Sequence, residues 1–132
     1  VLGDQDDVFV VNALHLPVNE EILIDLKSAD VLVTNPTHFA IGLRYRHGVD
    51  AAPIVVVKAM DHVALKLRAE AFRLGIPRVE DRALARALYA QVPQGKRVPA
   101  SLYGPVAPVL GVVYRKRRRK AAPPKPEGIP GR

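Results

Sequence analysis

Asn35, Pro36, Thr37 and His38 stand in a row between two apolar runs, Val31-Leu32-Val33-Thr34 and Phe39-Ala40-Ile41-Gly42-Leu43-Arg44-Tyr45. Those flanks predict two strands, and the four residues between them predict a tight connection. An Asn-Pro bond held in such a turn can be cut by its own side chain. In ordinary asparagine breakdown the next backbone nitrogen attacks the side-chain amide, but Pro36 has no N–H to begin it. The other ring closure stays open. The Asn35 amide nitrogen attacks the Asn35 carbonyl carbon, closes a five-membered succinimide and expels Pro36 as a secondary amine. That nitrogen is a poor nucleophile and must lose a proton. Resonance stabilises the peptide carbonyl, so strain at the bond would help. Pro36 at the second position of a turn fixes one dihedral. A donor near the developing oxyanion lowers the barrier further. Thr37 and His38 are the adjacent candidates, His38 either as general base or as the residue that orients the turn. Asn-Pro is also a common turn dipeptide with no chemistry, and on the dipeptide alone the plain turn is the better reading.

The elements that must position this turn can be read outward from it. In the strand after the turn, Phe39, Ile41, Leu43 and Tyr45 share one face, while His38, Ala40 and Arg44 take the other. Arg46-His47-Gly48 reads as a turn. Ile54 to Val57 is continuous and β-branched, which predicts a central strand buried on both faces. Met60 to Leu74 predicts a helix with Met60, Val63, Ala64, Leu67, Ala71 and Leu74 on one stripe, stopped by Gly75 and Pro77. Arg78-Val79 predicts a fourth, edge strand. Asp81 is placed to cap a second helix through Tyr89. A last helical region is expected over Ser101 to Tyr114, broken near Gly104-Pro105. Upstream, Val8 to Val11 reads as a short strand or an apolar anchor, His15 to Asn19 as a loop, and Glu20 to Leu26 as a short helix. The fold class that results is α/β: a small mixed four-stranded sheet surrounded by about four helices, with the Asn-Pro turn between the first two core strands.

Composition narrows the classes. The 132 residues, 48% of them hydrophobic, make one domain with a tail. There is no Cys, so neither disulfides nor thiolate metal sites arise. No secretory signal is evident, and no run approaches the ~20 apolar residues of a membrane span. Residues 1–30 hold seven acids and one Lys; the remainder holds nineteen Lys or Arg and six acids. The net charge of +7 therefore hides an acidic head and a basic body, which could face acidic partners, phospholipid or nucleic acid.

Other constellations carry less. Arg115 to Lys120 is an unbroken basic run. It reads first as a solvated junction between a helix and a tail, because no aromatic residues interleave it to stack bases, so a nucleic-acid partner is not expected. His15, His38, His47 and His62 lack ligand spacing, and no metal site is expected. No glycine-rich phosphate loop supports a nucleotide or other cofactor. Asp30 reads as a surface acid that could at most orient the turn. Residues 121–132 contain four Pro and two Gly and read as disordered.

Ala29 to Tyr45, with Asn35-Pro36-Thr37-His38 inside it, resembles the self-cleavage motif of the FlhB/SctU (YscU-like) family of type III secretion export-switch proteins. The resemblance continues through Ala52-Pro53-Ile54-Val55-Val56-Val57-Lys58, Val63-Ala64-Leu65-Lys66-Leu67-Arg68 and Gly75-Ile76-Pro77. Leu84-Ala85-Arg86-Ala87-Leu88-Tyr89 is close to the family signature Pro-Leu-Ala-Arg-Ala-Leu-Tyr, with Ala83 where the signature has Pro. Val98-Pro99-Ala100-Ser101-Leu102-Tyr103 and Val109-Leu110 close the match, which runs from about Ser28 to about Arg115. Family members carry four transmembrane helices and a basic linker before this domain, whereas residues 1–27 here are acidic. A chain opening at Val1 is expected to be a cytoplasmic fragment or a homologue without the membrane half.

The resemblance implies a division into an atypical acidic segment (1–27), an autocleaving cytoplasmic switch domain (28–118) and a Pro-rich basic tail (119–132). It implies one cut between Asn35 and Pro36 without turnover, and a change of export specificity from early to later substrates. It implies a place at the cytoplasmic face of the bacterial inner membrane. The implied partners are export-gate proteins, early export substrates and a length-control protein, together with the two cleavage fragments held to each other. A shallow apolar pocket for early substrates would map to Ala52, Pro53, Ala107 and Leu110, for which core packing is the plain alternative. Lys58 to Leu65 and Leu102-Tyr103 look more flagellar than injectisome. A non-cleaving docking domain is the competing reading, and a basic nucleic-acid-binding module a lesser one.

Overall fold

Two β-rich segments joined by a tight turn make the centre of the sheet, because each can bury both of its faces. In a computed structural model, which describes residues 20–121, they are β1 (Val31–Asn35) and β2 (Phe39–Arg44). β1 is buried at every position. The other strands are β3 (Ile54–Met60) and β4 (Arg78–Glu80), and the helices are α1 (Glu20–Lys27), α2 (Asp61–Leu74), α3 (Arg82–Gln91) and α4 (Tyr103–Ala121). A short 3-10 turn, Ala100–Leu102, leads into α4. The sheet order is β3-β2-β1-β4, antiparallel except for the β1–β4 pair. The strand expected at 8–11, the loop at 15–19 and the tail from 122 lie outside the described residues.

Strand alternation sorts the core into two layers. On one face Val31, Val33, Ile41, Leu43 and Val55 pack against Leu84, Ala85 and Leu88 of α3 and Val106, Val109 and Val113 of α4. On the other, Leu32, Ala40, Val57 and Ala59 meet Leu26 of α1 and Ala64, Leu67 and Ala71 of α2. Of the expected α2 stripe, Met60 and Val63 stay exposed. Gly42 sits where β2 lies tightly against its neighbour β3 and against Ala29, just after α1. An added Cβ would lie 2.7 Å from Val57 Cγ1 and 3.1 Å from the Ala29 Cβ, and a β-bulge follows at Gly42/Leu43.

Three expectations change. Ile54 to Val57 is not central: β3 is the edge next to β2. Its outer side is nevertheless covered. Val55 N–H donates to the Lys96 carbonyl at 3.0 Å, and the Gly95 N–H returns a bond to the Val55 carbonyl at 2.7 Å. That cover lets an edge strand be as apolar as an interior one. Next, α4 is not broken near Gly104-Pro105. Pro105 lies in its first turn, where a missing N–H costs nothing, and Pro108 sits on an exposed turn of a helix that continues through it. The backbone stays helical through 115–120 rather than leaving the helix near Tyr114. Finally, Asp30 is buried, and its Oδ2 accepts the Tyr45 N–H at 2.7 Å, at the end of β1 away from the Asn-Pro turn.

The β2–β3 loop is closed by a half-buried ion pair. Arg44 Nε and Nη2 donate to Asp50 Oδ2 and Oδ1 at 3.1 and 2.9 Å, and the Arg46 N–H adds a bond at 2.8 Å. The Arg44 guanidinium holds the Asp50 carboxyl below the usual carboxylate range, with the Arg46 N–H helping.

Candidate functional site

Asn35 is the last residue of β1 and pairs with Phe39 across the turn. It is 6% exposed, whereas Thr37 and His38 face solvent. The Asn35–Pro36 bond is trans. The His38 N–H donates to the Asn35 carbonyl at 2.9 Å, closing a four-residue turn. With Pro36 at the second position and Thr37 at φ 69°, the turn is type II, whose third position favours glycine. A β-branched residue in the left-handed region is a conformational outlier. The four motif residues thus meet in one strained turn, and the carbonyl that would be attacked already accepts a hydrogen bond. Its donor is the main chain of His38, while the imidazole stands exposed.

Residues far along the chain hold this turn in place. The Thr34 carbonyl accepts the Asp81 N–H at 2.9 Å, and the Asp81 side chain caps α3 through the Leu84 N–H at 3.0 Å. The His38 carbonyl accepts the Asp61 N–H at 2.8 Å. Phe39 stacks on Tyr89 of α3, ring centroids 4.8 Å apart. Lys58 lies 4.7 Å from the Tyr89 ring and donates to the Tyr89 carbonyl at 2.8 Å. Only the Asp81 cap had a sequence signal. The others are long-range main-chain or aromatic contacts that no local spacing marks.

Ala52, Pro53, Ala107 and Leu110 come together. With Tyr45 and Tyr103 among its walls, they line an apolar hollow of about 250 Å³ between the start of β3 and the first turns of α4. Asp30 fixes one rim through Tyr45, and the Arg44–Asp50 pair fixes the loop that carries Ala52. The hollow opens at the far end of β2 from the Asn-Pro turn. Phe39 and Tyr45 are roughly 20 Å apart at the strand rise of about 3.4 Å per residue. Among the described residues no helix is long and apolar enough to cross a membrane.

Comparison with known proteins gives this architecture a class. The cytoplasmic domain of FlhB from Shewanella putrefaciens superposes with a TM-score of 0.71 at 35% identity, covering 84% of this chain and 86% of that one. An asparagine-to-alanine variant of the EscU C-terminal domain superposes with a TM-score of 0.69 at 32% identity, covering 72% and 95%. The fold is that of the C-terminal cytoplasmic domains of EscU and FlhB. The family model described as "FlhB HrpN YscU SpaS Family" matches residues 15–113, and the chain belongs to that family. Flagellar biosynthetic protein FlhB of Salmonella typhimurium is 40% identical over 110 residues, 80% of this chain and 29% of that protein. FlhB of Bacillus subtilis is 42% identical over 95 residues, 72% of this chain and 26% of that protein. The chain spans under a third of the length of these two relatives.

Proposed function

We propose that this domain is the FlhB-type switch of a type III protein-export apparatus, most simply a flagellar one, and that it cuts itself once between Asn35 and Pro36. The observation that carries the reading is the buried Asn35 whose carbonyl is held by the His38 N–H in a turn strained at Thr37. As the Asn35 amide nitrogen adds to that carbonyl, charge gathers on the oxygen, and the His38 N–H is a donor already in place. The C–N bond to Pro36 then breaks and Pro36 leaves as an amine after taking up a proton. Water or the solvent-facing His38 imidazole receives the proton lost by the amide. Hydrolysis of the succinimide ends the sequence. The hollow around Ala52, Pro53, Ala107 and Leu110 is sized for apolar side chains of an extended segment, and in this reading it receives early export substrates. Export-gate and length-control proteins are the other partners.

Intact mass under denaturing conditions, beside Asn35→Ala, tests the central claim. The wild type should give two fragments meeting at Asn35/Pro36, their summed mass equal to the uncut chain before succinimide hydrolysis and one water heavier after it. Asn35→Ala should give one chain. A cut Asn35→Ala protein would sink the mechanism, and an uncut wild type would leave a docking domain built on the same fold.

A further inference from the structure

Among the described residues, two other than glycine hold a left-handed backbone: Thr37 at φ 69° and Asp61 at φ 52°. They meet through His38. Its N–H is committed to the Asn35 carbonyl at 2.9 Å, and its carbonyl accepts the Asp61 N–H at 2.8 Å. Asp61 stands where β3 becomes α2. Its N–H belongs to the first turn of a helix, where main-chain donors have no partner within the helix. That N–H leaves the extended Met60 peptide toward His38, and the unusual φ of Asp61 is what lets the chain turn into α2 while the N–H stays there. Aspartate and asparagine enter this region at lower cost than most side chains, glycine enters it freely, and a β-branched residue enters it only under strain, as Thr37 does.

We propose that Asp61 is a positioning residue for the cut at Asn35–Pro36, acting through its main-chain N–H and not its carboxylate. By holding the His38 carbonyl, it keeps the His38 N–H aimed at the oxygen on which charge develops. The inference rests on the self-cleavage reading above. Asp61 exchanges no proton in the step. The amide nitrogen bonds to the carbonyl carbon, the bond to Pro36 breaks, and the protons pass as already described. Asp61 sets only where one donor points.

Substitutions that separate φ from charge provide the test. The wild type and Asp61→Gly, Asp61→Asn, Asp61→Ala and Asp61→Val are made by cell-free synthesis, and fragment formation is followed on denaturing gels. Unfolding of each substitution in an Asn35→Ala background shows whether it folds. Asp61→Gly and Asp61→Asn should cut within about twofold of the wild-type rate although both lack the carboxylate. Asp61→Val should be slower by about tenfold, less than the hundredfold or more lost when an oxyanion donor is itself removed. If the Val protein does not fold, Asp61→Ala carries the test, with an expected slowing of a few-fold. A folded Val or Ala protein cutting at the wild-type rate overturns the inference alone. So does equal slowing by Gly and Val, which would assign the effect to the carboxylate. An uncut wild type overturns both this inference and the reading beneath it.

Discussion

Thr37 is the residue at which sequence and conformation disagree most. Its φ of 69° lies where glycine is at ease and a β-branched side chain is not. A cost of about 1–3 kcal/mol is the usual scale for such a residue. Thr37→Gly in an Asn35→Ala background should therefore stabilise the fold by up to about 1 kcal/mol, part of the relief being offset by glycine's extra freedom when unfolded. Urea unfolding measures this. In the cleavable chain the same change should slow the cut, because the turn relaxes. A faster cut would show that strain at Thr37 plays no part. The motif itself was legible in the sequence, since asparagine and proline chemistry depends on which residues adjoin. The left-handed Thr37 and the role of the His38 main chain were not, because residue types do not record the direction of an N–H.

Among the elements, β3 shows where local pattern misleads. A continuous β-branched run is the mark of a buried strand, but it does not say what does the burying. Here the 94–98 segment and the helices cover an edge that a sheet neighbour would cover elsewhere. The prolines of α4 mislead in the opposite sense: position in the first turn and exposure decide their cost, and neither is visible in the residue type. Helix ends were more readable. Asp81 caps α3, and Gly75 ends α2 at φ 76° with the Ile76 N–H on the Ala71 carbonyl, because capping is local chemistry. The close packing of β2 against β3 at Gly42 gives an element-scale prediction. Gly42→Ala would place a methyl carbon 2.7 Å from Val57 Cγ1. It should cost about 1–3 kcal/mol, the usual penalty of overpacking, read as a lower urea midpoint in an Asn35→Ala background. An unchanged midpoint would mean that the bulge absorbs the methyl.

In the whole molecule, β1 is the strand that ends at Asn35, and it lies between β2 and β4. It pairs with β2 from Val31 to Asn35 and with β4 from Leu32 to Thr34. Val31, Leu32 and Val33 have no exposed surface and divide between the two core layers. A cut after Asn35 removes none of these contacts. The two fragments should therefore elute together on gel filtration in native buffer and separate only in denaturant. Separation in native buffer would mean that ladder and core do not retain the upstream piece. The layered fold was legible from alternation and helix periodicity. The meeting of Ala52 and Pro53 with Ala107 and Leu110 was not, since those pairs are joined only by tertiary packing.

The burial of Asn35 acquires a different meaning once the bond is broken. If the proposed cut occurs, a neutral peptide group there would become, after succinimide hydrolysis, a carboxylate on a residue only 6% exposed, facing a freshly made proline ammonium. An ionised group denied water costs several kcal/mol unless donors gather round it. The His38 N–H and the new ammonium would satisfy part of that charge, and swinging the new ends outward, past Thr37 and His38, would hydrate the rest. The cut would act as its own wedge, opening the tip of the sheet by charge while the strands behind it stay zipped.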